Sequence, residues 1–567
     1  MLRALGQSVR ARAAIRRATV GRSRSLHHLT KQHLMPRGPD SPSGGIWSEL
    51  MIIALAAGAG VYASNRLRRQ AQVDDAAVRQ AVRLPDIPLI SYQELQQHKT
   101  RESCWILVRG QVYDVTDFLN KHPGGVQIIL ANAGRDATAV YDTFHPPGLV
   151  DSLLSPSQHL GAVDPSTLPV GEVGPSAGLA EDERRVERAR REIPPLDLCI
   201  NVQDLEDVAR QVMSKIAWGY CMSGADTMSA YRNNIAAFSR YTFRPRVLRP
   251  VTALDMSCHI LGHPSALPIF VSPAANAGMG HPSGEVGIAH GAFVGGIIQG
   301  VASSSSRSMA ELERERGKGQ VMFFQLYVNK DRKVSERMLR EAEERGFGAV
   351  FLTVDTPVPG KREMDLKTRG LPSPGAVSAA GKKSATQAGI ANSLGDYFDA
   401  NLQWDDLAWL RSVTKLPIIL KGIQTVEDVE LAVEHGCTAV LLSNHGGRQL
   451  DYARAPIDVL YELRQRRPDI LDGKKIEVYL DSGVRRGTDV VKALCLGATA
   501  VGMGRPFWFS NGAYGEAGVV KLIDIMAEEI ATTMRLLGVT RISELKPEMV
   551  CRIADFDPRK PYHHTLP

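Results

Sequence analysis

The stretch SNHGGRQLD, residues 443–451, sets an imidazole (His445) and a guanidinium (Arg448) three residues apart, directly after the apolar run TAVLL. The two glycines between them permit a sharp turn and a close approach of backbone to a ligand. An imidazole can take a proton, and a guanidinium can grip a carboxylate through two hydrogen bonds. Read alone, the stretch is equally a polar turn that ends a strand. Other apolar runs end the same way, in Gln325 and Tyr327, Thr353 and Asp355, Lys421, Asp481 and Gly483, and Gly504 and Arg505. Six polar ends in one region exceed what stability alone asks for. As a set they describe a site. His445 is a base, oriented by a carboxylate such as Asp355. Arg448 holds an anionic substrate. Gly483, Arg485, Gly504 and Arg505 offer amides and guanidinium groups to a phosphate. Lys421 puts positive charge beside an electron-rich ring. An anionic flavin and a carboxylate substrate fit this set.

These residues need a scaffold that gathers strand ends. Eight apolar runs of strand length occur at 267–273, 297–302, 321–328, 349–355, 416–422, 438–444, 476–483 and 499–506. Helix-like segments such as SERMLREAEERG and TVEDVELAVEHG separate some of them and end in glycine before a β-branched run. That alternation indicates parallel β/α units. Eight units predict an α/β (β/α)8 barrel over 197–553, whose chemistry sits at the C-terminal ends of the strands. A doubly wound sheet is the alternative.

A second, smaller α+β unit is expected at 85–162. His122 lies in a His-Pro-Gly-Gly turn and His145 precedes two prolines. Val126, Ile129, Leu130, Val140, Phe144 and Leu149 lie between or beside them and could line a crevice. Two neutral imidazoles from opposite sides would fill both axial positions of a haem iron, leaving electron transfer as its chemistry. Two turn histidines alone are also compatible with mere turns. Residues 163–196, rich in Pro, Gly and Ser and then in charge, read as a linker or hinge.

Residues 1–70 carry twelve Lys/Arg against two acids, so the chain's net charge of +7 leaves −3 for the remainder. No basic patch there suggests nucleic acid. The Arg-rich, acid-free leader has the composition of a mitochondrial transit peptide. It is followed by the short apolar run LMIIALAAGAGVYAS at 50–64. A two-part sorting signal that contacts the inner membrane and releases the rest into the intermembrane space fits this order; a retained anchor is the alternative. The GAGVYA inside it follows no strand and is not a dinucleotide fingerprint. Seven cysteines without a C-x-x-C form neither a disulfide framework nor a zinc site.

WILVRGQVYDVTDFLNKHPGG and the His122-to-His145 spacing resemble the cytochrome b5 family, whose two axial haem b ligands map onto His122 and His145. FFQLYV, LTVDTPVPGKRE, SNHGGRQLD and GVRRGTDVVKALCLGA resemble the FMN-dependent 2-hydroxy acid dehydrogenase and oxidase family over about 200–550. Together the two resemblances imply an FMN- and haem-dependent dehydrogenase that oxidises L-lactate to pyruvate and delivers electrons to cytochrome c. Alternatives are an oxidase that uses oxygen, a dehydrogenase for a bulkier acid such as mandelate, and a non-catalytic haem electron carrier. The resemblance also implies roles. Tyr220 and Arg448 would bind the substrate carboxylate, and Tyr327 its hydroxyl. Arg362 would assist near the base, and Asp355 would stabilise the His445 imidazolium. Lys421 would stabilise reduced FMN, while Gln325, Thr353, Ser443 and Asp481 would join the cofactor set. A homotetramer is implied, although little chain follows Val550 for tail exchange; 554–567 is read as a tail. The chain departs from the family pattern at Ala274, Ala275 and Asn276, at Ser304, and at Ser482 in DSG. Small side chains at Ala274, Ala275 and Ser304 widen the expected pocket. The Ala/Gly/Ser-rich insertion 364–400 reads as mobile.

Overall fold

In a computed structural model the described residues are 89–121, 126–130, 132–138, 141, 150–151, 154–168, 177–368 and 398–555. Residues 1–70, read as a targeting segment, His122, His145, most of the insertion and nearly all of the tail therefore lie outside them. Among the described residues no helix is long and apolar enough to cross a membrane.

The small unit holds a sheet in the order Leu89–Ile90, His159–Val163, Gln111–Asp114 and Trp105–Val108. Its hairpin turns at Arg109 and Gly110, both at positive φ (52° and 81°), a pairing that suits the twist of adjacent strands. Cys104, Ile106, Val108, Tyr113, Val115 and Leu119 pack on one side with Ile129, Ala133 and Leu154. Val126 and Leu130, two of the expected crevice residues, are half-buried against this cluster. The unit runs past the expected boundary at 162. Val163 pairs with Ile90, Thr167 Oγ1 accepts from the Tyr92 N–H (2.8 Å), and Leu168 packs on the sheet.

The linker is not a free hinge throughout. Residues Ala177–Arg191 form helix α1, tied to the next unit by arginines. Arg185 donates to the carbonyls of Gln211 and Met213, and Arg190 to those of Gly280 and Gly512. The buried Asp182 accepts from Lys215 N–H. The charged part of the linker, which could also be read as a short helix with little apolar face, is a helix docked by polar contacts.

The large unit is a closed barrel of eight parallel strands. They are β1 Ile269–Val271, β2 Ile298–Ala302, β3 Met322–Leu326, β4 Val350–Thr353, β5 Ile418–Ile423, β6 Ala439–Leu442, β7 Glu477–Leu480 and β8 Ala500–Met503. Each expected run holds one, the fifth strand extending one residue past its run to Ile423. Strands buried on both faces must be apolar throughout, which explains the continuous Val/Ile/Leu runs. One face packs outward against helices through Ile269, Phe324, Leu352, Leu420, Val440 and Val501. The other fills the interior with Phe270, Phe323, Phe351, Ile419, Leu441 and Tyr479. Ile260, from a hairpin before β1, joins the interior cluster.

Candidate active site

Side chains on a strand repeat every two residues, so the residue two beyond each interior apolar side chain faces the same way. Two beyond Phe270, Phe323, Phe351, Ile419, Leu441 and Tyr479 stand Ser272, Gln325, Thr353, Lys421, Ser443 and Asp481. An apolar plug is thus capped at its C-terminal end by a polar layer, and over it opens a cavity of about 1290 Å³, part of it continuous with solvent. Tyr220, Gln325, Tyr327, Arg362, Lys421, His445, Arg448, Asp481, Gly483, Arg485, Gly504 and Arg505 all line it. Thr353, Asp355 and Ser443 do not; they stand behind the wall as supports. Gln325 Nε2 donates to Thr353 Oγ1 (2.9 Å), and Ser443 Oγ accepts from the His445 N–H (3.1 Å).

His445 sits between two partners. Its Nδ1 faces Asp355 Oδ1 at 3.0 Å, and its Nε2 faces Tyr327 OH at 3.3 Å. Burial, reinforced by the positive charge of Lys421 and Arg362, outweighs the Asp355 carboxylate and pushes the imidazole down to about 4. It is therefore neutral and free to accept a proton at neutral pH. Burial pushes the Asp355 carboxyl up, but His445, Lys421 and the Thr356 hydroxyl together hold it below its ordinary value. Burial, then Asp355, raises the Tyr327 phenol far above its ordinary range, so it is a hydrogen-bond donor. Gly422 makes this pair possible. It lies at φ +109°, and a Cβ there would meet Asp355 Cβ and Cγ at 2.6 Å.

The arginines gather at the end of helix α3, Lys215–Met222, which follows helix α2, Val202–Val212. Arg448 Nη1 donates to the carbonyls of Tyr220, Cys221 and Ser223, and its guanidinium lies 5.0 Å from the Tyr220 ring centroid. Arg505 donates to Cys221, Ser223 and Gly446 carbonyls. The negative end of a helix suits these cations. Burial and neighbouring Arg448 lower Arg362 to about 9, and its Nε has no hydrogen-bond partner. A buried cation without compensation is costly. Arg362, Arg448 and Lys421 thus call for anions in the cavity.

The chain fits an FMN on its own chemistry. Helix α4, Arg505–Tyr514, begins at Gly504, where an added Cβ would come no nearer than 3.9 Å to any neighbour, so a ligand can approach the backbone there. Helix amides and the positive end of the dipole suit a phosphate. Gly483, at φ +86°, packs so that a Cβ would meet the Asn234 carbonyl oxygen at 2.2 Å. Arg485 is shared with Gln203 and Glu206 on α2, so it is anchored as well as facing the cavity.

Two lining residues, Phe398 and Trp508, had no signal in sequence. Phe398 stacks on Tyr327 at 4.2 Å between ring centroids, at the end of the insertion read as mobile. Its neighbour Asp399 is bonded to Arg332 (2.7 Å) and Val328, which anchors it. Trp508 comes from the first turns of α4 and lies 6.3 Å from the Tyr220 ring. Asn276, left-handed at φ 57°, donates to Tyr220 OH (3.3 Å). Ala274, Ala275 and Ser304 line the cavity. Among the described residues no cluster of three His, Cys, Asp or Glu could hold a metal ion.

Known families share this arrangement. The family model for FMN-dependent dehydrogenase matches residues 209–552, and that for the cytochrome b5-like heme/steroid binding domain matches 91–164. The chain belongs to the FMN-dependent dehydrogenase family. It is 43% identical over 462 residues to L-lactate dehydrogenase (cytochrome) of Wickerhamomyces anomalus, covering 80% of this chain and 78% of that one. It is 42% identical to the Saccharomyces cerevisiae protein of the same name, covering 81% and 79%. The solved flavin-binding domain of baker's yeast flavocytochrome b2 aligns with a TM-score of 0.60 at 40% identity, covering 67% of this chain and 93% of that one. This dehydrogenase thus joins an FMN barrel to a cytochrome b5-like haem domain.

Proposed function

We propose that the protein oxidises an L-2-hydroxy acid, L-lactate to pyruvate, and delivers the electrons to cytochrome c. The observation that carries this reading is the neutral His445, held between Asp355 and Tyr327 in a cavity that Arg448 and the buried Arg362, with its Nε unpartnered, also line. Arg448 and Tyr220 bind the carboxylate, and Arg362 compensates it. Tyr327 donates to the substrate oxygen and orients it toward Nε2 of His445. Nε2 takes the proton, and Asp355 faces the imidazolium that results. FMN would supply the acceptor for the electron pair and the remaining hydrogen of the substrate carbon, and haem b would supply a one-electron relay to the final acceptor. Gly504, Arg505 and Gly483 hold the phosphate end, Lys421, Gln325, Thr353, Ser443 and Asp481 belong to the ring end, and His122 and His145 are the haem ligands. The leader directs the chain to the mitochondrial intermembrane space with transient inner-membrane contact, and the working form is a homotetramer.

Anaerobic stopped-flow mixing with L-lactate tests the reading. Flavin bleaching followed by haem reduction is expected. Bleaching that leaves the haem oxidised, with reoxidation by oxygen, would make the protein an oxidase. The small wall of Ala274, Ala275 and Ser304 favours a second reading of the substrate, an acid with a larger side chain. Bleaching with L-mandelate but not lactate would select it.

A further inference from the structure

The turn that carries His445 is held in an unfavourable conformation. His445, Gly446 and Gly447 are consecutively left-handed, at φ 58°, 67° and 74°. A non-glycine residue in that region persists only where its surroundings over-determine it. Ser443 Oγ holds the His445 N–H, Asn444 Oδ1 holds the Gly447 N–H, and Arg505 Nη1 holds the Gly446 carbonyl. The Gly446 N–H is bound from another loop, by Ser482 Oγ at 3.0 Å. Ser482 is itself left-handed, at φ 74°. Its hydroxyl donates to Asp481 Oδ1 (2.8 Å), and Asp481 Oδ2 accepts from Ser272 Oγ (3.0 Å). A chain Ser272–Asp481–Ser482–Gly446 therefore ties the loops after β1, β7 and β6.

We infer that Ser482 is a positioning residue, whose hydroxyl fixes the peptide after His445 and so aims the imidazole at the substrate. Glycine would suit φ 74° better, so the backbone gains nothing from serine at 482. What serine adds is the bond to the neighbouring loop. A side chain that strains its own backbone while pinning the peptide beside the base acts on aim rather than on folding.

The inference rests on His445 acting as base, and the test separates the two. In the full-length holoenzyme, Ser482→Gly, Ser482→Asn and His445→Gln are compared by FMN content, thermal midpoint, flavin-reduction rate and the isotope effect with 2-deuterated substrate. Ser482→Gly is expected to keep FMN and its midpoint, leave KM nearly unchanged and lower kcat about three- to ten-fold, the size of one neutral hydrogen bond. Its isotope effect should rise. Ser482→Asn, which tolerates the left-handed region and keeps an acceptor, should recover most of the rate. Unchanged kcat and isotope effect in Ser482→Gly, or a loss confined to FMN affinity, would overturn the inference. A near-normal rate in His445→Gln would instead remove the base reading on which it stands.

Discussion

Asp355→Asn isolates the charge that faces the base. Asparagine keeps the shape and can still accept from Nδ1 of His445, so ring orientation and tautomer survive. Only the negative charge is lost. In the parent, Nδ1 and Oδ1 are 3.0 Å apart, and the Asp355 side chain is 1% exposed. With charge centres about 4 Å apart and an effective dielectric of about 20, the attraction for an imidazolium is about 4 kcal/mol. Taken instead as the whole worth of a hydrogen bond to a charged group, the interaction is about 1.5–3 kcal/mol. At about 1.4 kcal/mol per decade, the range corresponds to a fall of ~10- to 10³-fold in flavin reduction. KM should move little, because Arg448 and Tyr220 are untouched. The assay is anaerobic stopped flow under saturating lactate, with FMN content and thermal midpoint as controls for folding. A folded, FMN-replete Asp355→Asn enzyme reducing its flavin at the parental rate would refute the argument that Asp355 stabilises a protonated His445.

Arg448→Lys keeps the charge but loses the planar fork that spans three carbonyls and the substrate; kcat/KM should fall about 10²-fold, mostly through KM, in steady-state assays. Gly422→Ala should displace Asp355 and lower stability by roughly 2 kcal/mol or more, read by chemical denaturation. Because the His445 pKa is depressed from 6.5 to about 4 in the fold, the unfolded chain binds the extra proton first, and stability falls as pH drops from 6.5 toward 4. His445→Gln should flatten that part of a thermal-midpoint profile. His122→Ala or His145→Ala should abolish the haem absorption band while leaving flavin reduction by substrate intact, as seen in anaerobic spectra.

Most of the barrel could be read from one dimension because each buried parallel strand must be continuously apolar, and each polar strand end interrupts that rule. Gln325, Lys421, His445, Arg448 and Asp481 were visible for this reason. In the structure strand periodicity puts Gln325, Lys421 and Asp481 on one face, and His445 and Arg448 reach it from the turn beyond β6. What the sequence alone could not supply was the layering. Asp355, Thr353 and Ser443 look like their neighbours in the chain, yet they do not line the cavity: Gln325 bonds over Thr353, His445 folds back on Ser443, and Asp355 lies behind the imidazole. Gly422 is an ordinary glycine until the Asp355 side chain occupies the space its Cβ would need. Phe398 and Trp508 enter the site from segments distant in sequence, brought together only by closure of the barrel. The docking of the linker helix was likewise hidden, since the carbonyls that bind Arg185 and Arg190 belong to the barrel unit. Local chemistry and apolar periodicity are properties of the chain, whereas partners of a buried polar atom are properties of the closed fold.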